Sequence, residues 1–81
     1  MSFFVYMLKS LQKKSVTYVG YTKNLTKRIK LHNTGKGAKF TRGRKWTLIY
    51  KKCYKSKSVA MKNEYLLKKN YKLRNKIKKS F

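Results

Sequence analysis

Phe3-Phe4-Val5-Tyr6-Met7-Leu8 is an unbroken apolar run close to the start of the chain. Its shortness and its aromatic and β-branched content favour a strand, and its lack of alternation means both faces must be covered. A strand of this kind belongs in the middle of a sheet, with layers above and below it. The polar residues 9–15 then predict a loop, and residues 16–22 regain strand character around Gly20. Two strands so near in sequence predict an antiparallel pair, although no tight two-residue turn signal joins them.

Further along, a helix is expected from Thr22 or Asn24, both acceptable N-caps, to Asn33 or Gly35. Leu25, Arg28, Ile29 and His32 fall within an arc of about 100° on that helix, so His32 faces the sheet and Arg28 borders the buried stripe. Residues 35–45 form a glycine-spaced basic loop carrying Lys36, Lys39, Arg42, Arg44 and Lys45. A third strand is expected over residues 46–54, followed by a long helix capped by Ser56 or Ser58. Val59, Ala60, Asn63, Leu66 and Leu67 share one side of it, and Glu64 lies on the flank of that side, next to Ala60 and Leu67. From Lys68 onward the chain is strongly basic and helix-compatible, a third helix or a frayed tail. The order β-β-α-β-α(-α) predicts an α+β fold: a small three-stranded antiparallel sheet packed by helices, with residues 1–81 forming one domain.

Glu64 is the only acidic side chain among 81 residues, against 24 Lys and Arg, for a formal net charge of +23. Such self-repulsion opposes compactness, and its natural use is a polyanionic partner. An A+T-rich coding bias accounts for Lys over Arg but not for the missing acids. Hydrophobic residues at 41% and aromatics at 15% are enough for a small core, so the chain is not a disordered tail. Cys53 stands alone, which rules out an intrachain disulfide, deprives a zinc site of its usual thiols, and fits a reducing compartment. Its simplest reading is a small apolar residue near a strand end. The apolar run at residues 3–8 is too short for a signal peptide or a membrane span. These features predict an intracellular protein in a DNA-containing compartment, with no membrane partner and no obligate protein partner evident.

Tyr6 and Tyr18 both fall on expected strands, and Gly20 shares a face with Tyr18, where a missing side chain lets a ligand or another backbone approach. Arg28 and His32 are one helical turn apart and can address one point above the sheet. Each has a plain reading: packing tyrosines, a hydrogen-bonded structural histidine, a solvated arginine, and a Glu64 that pairs with Lys68 at i,i+4.

Together they resemble the GIY-YIG nuclease superfamily, most closely its short stand-alone members. Phe4-Val5-Tyr6 stands in the place of the first motif and Tyr18-Val19-Gly20 in that of the second. Arg28 and His32 match the family's helical arginine and the polar residue after it. Glu64 falls where the family keeps its metal-binding glutamate. The stretches from Tyr18 through Thr22 to His32-Asn33, and Gly37-Ala38-Lys39-Phe40-Thr41-Arg42, extend the likeness over residues 3 to 76. Two departures stand out: Phe4 replaces the glycine of the first motif, and the asparagine that follows the glutamate in many larger members has only Asn75 as a counterpart.

The resemblance implies phosphodiester hydrolysis, with Tyr6, Tyr18, Arg28, His32 and Glu64 as catalytic residues and Gly20 as a structural residue at the site. Glu64 would bind one Mg²⁺ (or Mn²⁺) together with waters and a substrate phosphate, because a single carboxylate cannot cage two cations. In so basic a protein, that cation should bind well only once DNA supplies negative charge. Arg28 would hold the scissile phosphate, and either Tyr6 or Tyr18 would act as base, its pKa lowered by neighbouring cations, with His32 orienting a tyrosine or assisting proton transfer. Lys36, Lys39, Arg42, Arg44, Lys45 and the basic C-terminal stretch would clamp nucleic acid, DNA foremost, by phosphate contacts that carry little base readout. The expectation is a structure-selective or weakly sequence-specific endonuclease. The competing reading is a non-catalytic basic DNA- or RNA-binding protein, which explains the charge but not the ordered Tyr, Gly, Arg, His and Glu set. A basic amphipathic membrane binder is disfavoured by the strand pattern.

Overall fold

In the computed structural model, which describes residues 2–81, the opening apolar run becomes the middle strand of a three-stranded antiparallel sheet. β1 (Phe3–Ser10) lies between β2 (Thr17–Thr22) and β3 (Trp46–Tyr54). The strand order is β2-β1-β3.

Alternate residues of β1 feed two cores, as an uninterrupted apolar strand requires. Val5 and Met7 join Val19, Ile49, Ala60 and Leu67 on one face. Tyr6 and Leu8 join Trp46 on the other, with Leu25 and Ile29 packed against them. Helix α1 (Leu25–Asn33) therefore covers the Tyr6 face. Helix α2 (Lys57–Lys69) covers the Val5 face, and α3 (Tyr71–Lys79) adds Ile77 to it. The pairing of β1 with β3 shifts register between Met7, opposite Tyr50, and Leu8, opposite Leu48. The extra residue, Ile49, turns into the Val5 core.

The helix starts are set by short polar side chains. Asn24 caps α1 by accepting from the Lys27 backbone N–H, Ser56 caps α2 through Val59, and Asn70 caps α3 through Leu73. The basic tail is thus a third helix. Asn70 also closes α2, its own N–H reaching the carbonyls of Leu66 and Leu67. The Ser10 side chain closes the β1–β2 connection by accepting from the Val16 N–H at 2.9 Å.

Burial on α2 is narrower than its apolar side. Val59 and Leu66 are about half exposed, and only Ala60 and Leu67 are buried. A three-stranded sheet that must also seat α3 offers α2 a narrow strip, so the buried stripe shrinks to positions seven apart. The loop of residues 35–45 holds a further difference, a 3₁₀ turn over Lys39–Thr41. Cys53 is exposed.

Candidate active site

Tyr6 is fully buried in the central strand and sits directly opposite Gly20 of β2. Its ring leans across that glycine: a Cβ on Gly20 would stand 2.5 Å from Tyr6 Oη and 3.2 Å from Tyr18 Cε2. The glycine of the second motif is therefore required by a tyrosine of the first.

His32, also fully buried, approaches from α1 and places Nε2 2.8 Å from Tyr6 Oη. Its other nitrogen, Nδ1, lies 2.9 Å from Thr41 Oγ1 in the 3₁₀ turn. Thr41 has one hydroxyl proton, and the Ala38 carbonyl, at 2.8 Å, can only accept it. Thr41 Oγ1 in turn accepts from the Ala38 N–H at 3.1 Å. With its proton directed to Ala38, Thr41 must accept from His32, so Nδ1 carries the imidazole hydrogen. Nε2 is then an acceptor, and Tyr6 donates to it. Gly37 completes the arrangement, because a side chain there would collide with the imidazole. Trp46 holds the turn in place, its Nε1–H donating to the Thr41 carbonyl at 3.1 Å.

Both partners of this pair are kept neutral. Burial pushes the Tyr6 phenol up to about 12, against the opposing pull of the neighbouring Arg28. Burial also lowers the His32 imidazole below its usual range, and the Arg28 charge lowers it further. The expectation that cations would favour a Tyr6 phenolate is thus overturned, since desolvation outweighs them. Arg28 itself is half-buried, and its buried Nε–H has no hydrogen-bond partner among the described residues.

Tyr18 lies beside this pair, its ring centroid 4.9 Å from that of His32 and 6.5 Å from that of Tyr6. Phe40 from the loop stacks on it at 6.2 Å with planes 21° apart, and Arg44 lies over Phe40 in turn. Through Phe40 the loop is joined to the site. Lys36, Lys39 and Arg42 are exposed on that loop, Arg44 is half-buried, and Lys45 donates to the Asn33 carbonyl.

Glu64 stands on α2, on the opposite face of the sheet from His32. Its negative charge nonetheless reaches the Tyr6 oxygen and contributes to raising the phenol. Tyr6 leans across β2, which is an edge strand of the sheet. Glu64 Oε1 lies 3.4 Å from Lys68 Nζ, and its side chain is 18% exposed. Among the described residues no three His, Cys, Asp or Glu side chains gather into a metal site. Glu64 fits a divalent cation as one ligand beside waters and a substrate phosphate, not as part of a protein cage.

Of the residues singled out from the sequence, Tyr6, Tyr18, His32 and Gly20 are in direct proximity. Arg28 and Glu64 join them through their effect on Tyr6. Gly37 and Thr41 carry roles that periodicity could not reveal; the only sign of them was the position of both in the stretch from Gly37 to Arg42.

A buried tyrosine–histidine pair with an arginine beside it, on a β-β-α-β-α-α frame that carries Glu64 across the sheet, has the form of a GIY-YIG catalytic domain. The chain belongs to that family, whose GIY-YIG catalytic domain model matches residues 2–78. Within it the chain is similar to a UPF0213 protein of Oceanobacillus iheyensis, 46% identical over 66 residues, covering 80% of this chain and 74% of that one. A UPF0213 protein of Staphylococcus haemolyticus is likewise 46% identical over 66 residues, covering 80% and 78%. The solution NMR structure of a UPF0213 protein from Bacillus halodurans superposes with a TM-score of 0.56 at 38% identity, covering 99% of this chain and 84% of that one. No helix among the described residues is long and apolar enough to cross a membrane.

Proposed function

We propose that this protein is a cation-dependent endonuclease that hydrolyses DNA phosphodiester bonds with structure-selective or weak sequence preference. The observation that carries this reading is the buried Tyr6–His32–Thr41 line with Arg28 beside it, in a chain whose only acidic side chain, Glu64, stands near enough to act on Tyr6. A protein that merely coats nucleic acid has no need of a buried proton line.

In this reading Arg28 grips a non-bridging oxygen of the scissile phosphate through its guanidinium. A phenol near 12 does not persist as phenolate at neutral pH, so Tyr6 acts as a relay. As the attacking water bonds to phosphorus, its proton passes to Tyr6 Oη while the Tyr6 proton passes to His32 Nε2. The leaving oxygen takes its proton from solvent as the P–O bond breaks. The phosphate's negative charge offsets Arg28 and makes His32 a better acceptor at the moment it is needed. Tyr18 borders the water's position and orients it. Mg²⁺ or Mn²⁺ bound at Glu64 would supply charge stabilisation at the phosphate and the leaving oxygen.

The test is nicking of supercoiled plasmid and of a branched oligonucleotide with Mg²⁺, comparing wild type with Glu64→Gln. Nicking by wild type alone is the expected result. Tight DNA binding by both proteins, without cleavage in Mg²⁺ or Mn²⁺, would replace this reading with that of a non-cutting binder.

A further inference from the structure

The chain supplies cationic charge almost entirely with lysine and uses arginine at four positions only: Arg28, Arg42, Arg44 and Arg74. Among the described residues, Arg28, Arg44 and Arg74 each bury an Nε–H that has no hydrogen-bond partner. Arg28 belongs to the Tyr6 site and Arg44 to the basic loop, where its guanidinium lies 5.3 Å from the Phe40 ring centre. Arg74 stands apart from both, on α3, yet it repeats the Arg44 arrangement, 5.7 Å from the Tyr71 ring centre. A ring beneath a guanidinium fixes its plane and directs its fork of donors outward, which an ammonium cannot imitate. With Nε covered, it is the terminal Nη donors of such a guanidinium that can meet a phosphate from outside the chain.

Arg74 borders a groove of about 210 Å³, walled by Thr17, Tyr18 and Val19 of β2 and by Lys68 of α2. Of the two cations in the lining, Lys68 is paired with Glu64 at 3.4 Å, and Arg74 makes no ion pair among the described residues. Tyr18 lines this groove and also borders His32 and Phe40. Arg44, Phe40, Tyr18 and Arg74 therefore follow one another around the β2 edge. A second hollow shares Thr17 and Arg74 and extends the path to Lys78.

We infer that the groove between β2 and α3 is a second phosphate subsite, in which Arg74 holds a phosphodiester of the bound strand on the far side of Tyr18 from the basic loop. The identity of that strand as the one being cut rests on the nuclease reading above. The phosphate contact itself does not depend on cleavage.

The test measures binding of a fluorescein-labelled DNA duplex, and of its single strand, to Glu64→Gln protein by anisotropy over a salt series without divalent cations. In that background Arg74→Gln weakens binding by about tenfold and makes the slope of log affinity against log salt shallower by about one. Lys72→Gln removes the same charge from an exposed position on the same helix and weakens binding by about twofold or less. Arg74→Lys keeps the charge but not the fork, and is expected to keep the slope while losing affinity. Equal losses for Arg74→Gln and Lys72→Gln would overturn the subsite in favour of diffuse attraction. If Arg74→Gln fails to fold, a folded Arg74→Lys that binds like its parent overturns it instead. Residual nicking by Glu64→Gln in Mg²⁺ counts against the nuclease reading and leaves the Arg74 result intact.

Discussion

Thr41 directs its single hydroxyl proton to Ala38 and thereby settles which nitrogen of His32 is protonated. Thr41→Val keeps the shape but removes that acceptor, leaving His32 Nδ1–H buried without a partner, at about 1–3 kcal/mol. The imidazole is then free to exchange tautomers, and nicking should fall about tenfold, whereas Thr41→Ser retains both. Imidazole nitrogen shifts read the tautomer directly. Unchanged shifts together with wild-type nicking in Thr41→Val would remove the relay. Tyr6 offers a second check, in alkali. One phenolate signal, absent in Tyr6→Phe, should appear only near pH 12. Because the folded pKa lies above the usual 10.0, the stability this contributes is full below pH 10 and is lost as pH rises through about 12. Tyr6, Arg28 and His32 were legible in the sequence through motif order and helical spacing. The direction of the Tyr6 shift was not, because charge can be counted along a chain while desolvation depends on how Leu8, Trp46 and α1 close over the ring. Gly37 and Thr41 were hidden for a related reason: they act from a loop without periodicity, through contacts that exist only once α1 has folded back.

At the scale of elements, the unbroken run from Phe3 to Leu8 was enough to place β1 at the centre, because only a central strand needs apolar side chains on both faces. The caps of α1 and α2 were readable as one of two candidates each, because Asn and Ser compete for backbone N–H groups within three residues of themselves, while Asn70 was not singled out. The buried width of α2 was not readable, since Val59 and Leu66 are as apolar as Ala60 and Leu67 and only the neighbouring α3 decides which are covered. Asn70 is the element-scale test. Asn70→Ala removes the α3 cap and should cost about 1 kcal/mol, seen as a lower thermal midpoint and weaker helical circular dichroism. An unchanged midpoint would mean that α3 is held by Ile77 packing and not by its cap.

Over the whole molecule the dominant fact is charge. With +23 on 81 residues, DNA binding should be steeply salt-dependent, with a slope near −5 if about six phosphates are contacted. A slope near −1 in an anisotropy titration would contradict a clamp formed by the basic loop and the C-terminal helices. The same repulsion gives each helix a reason to move when a polyanion arrives, and the joint between the last two has little slack. Asn70 both ends α2 and begins α3, so these helices form a bent rod with a single pivot. Glu64 lies on one arm and Arg74 on the other. The one residue that both helices share thus sets the span between the sole acidic side chain and the second grip, as the hinge pin of a pair of calipers sets its gauge.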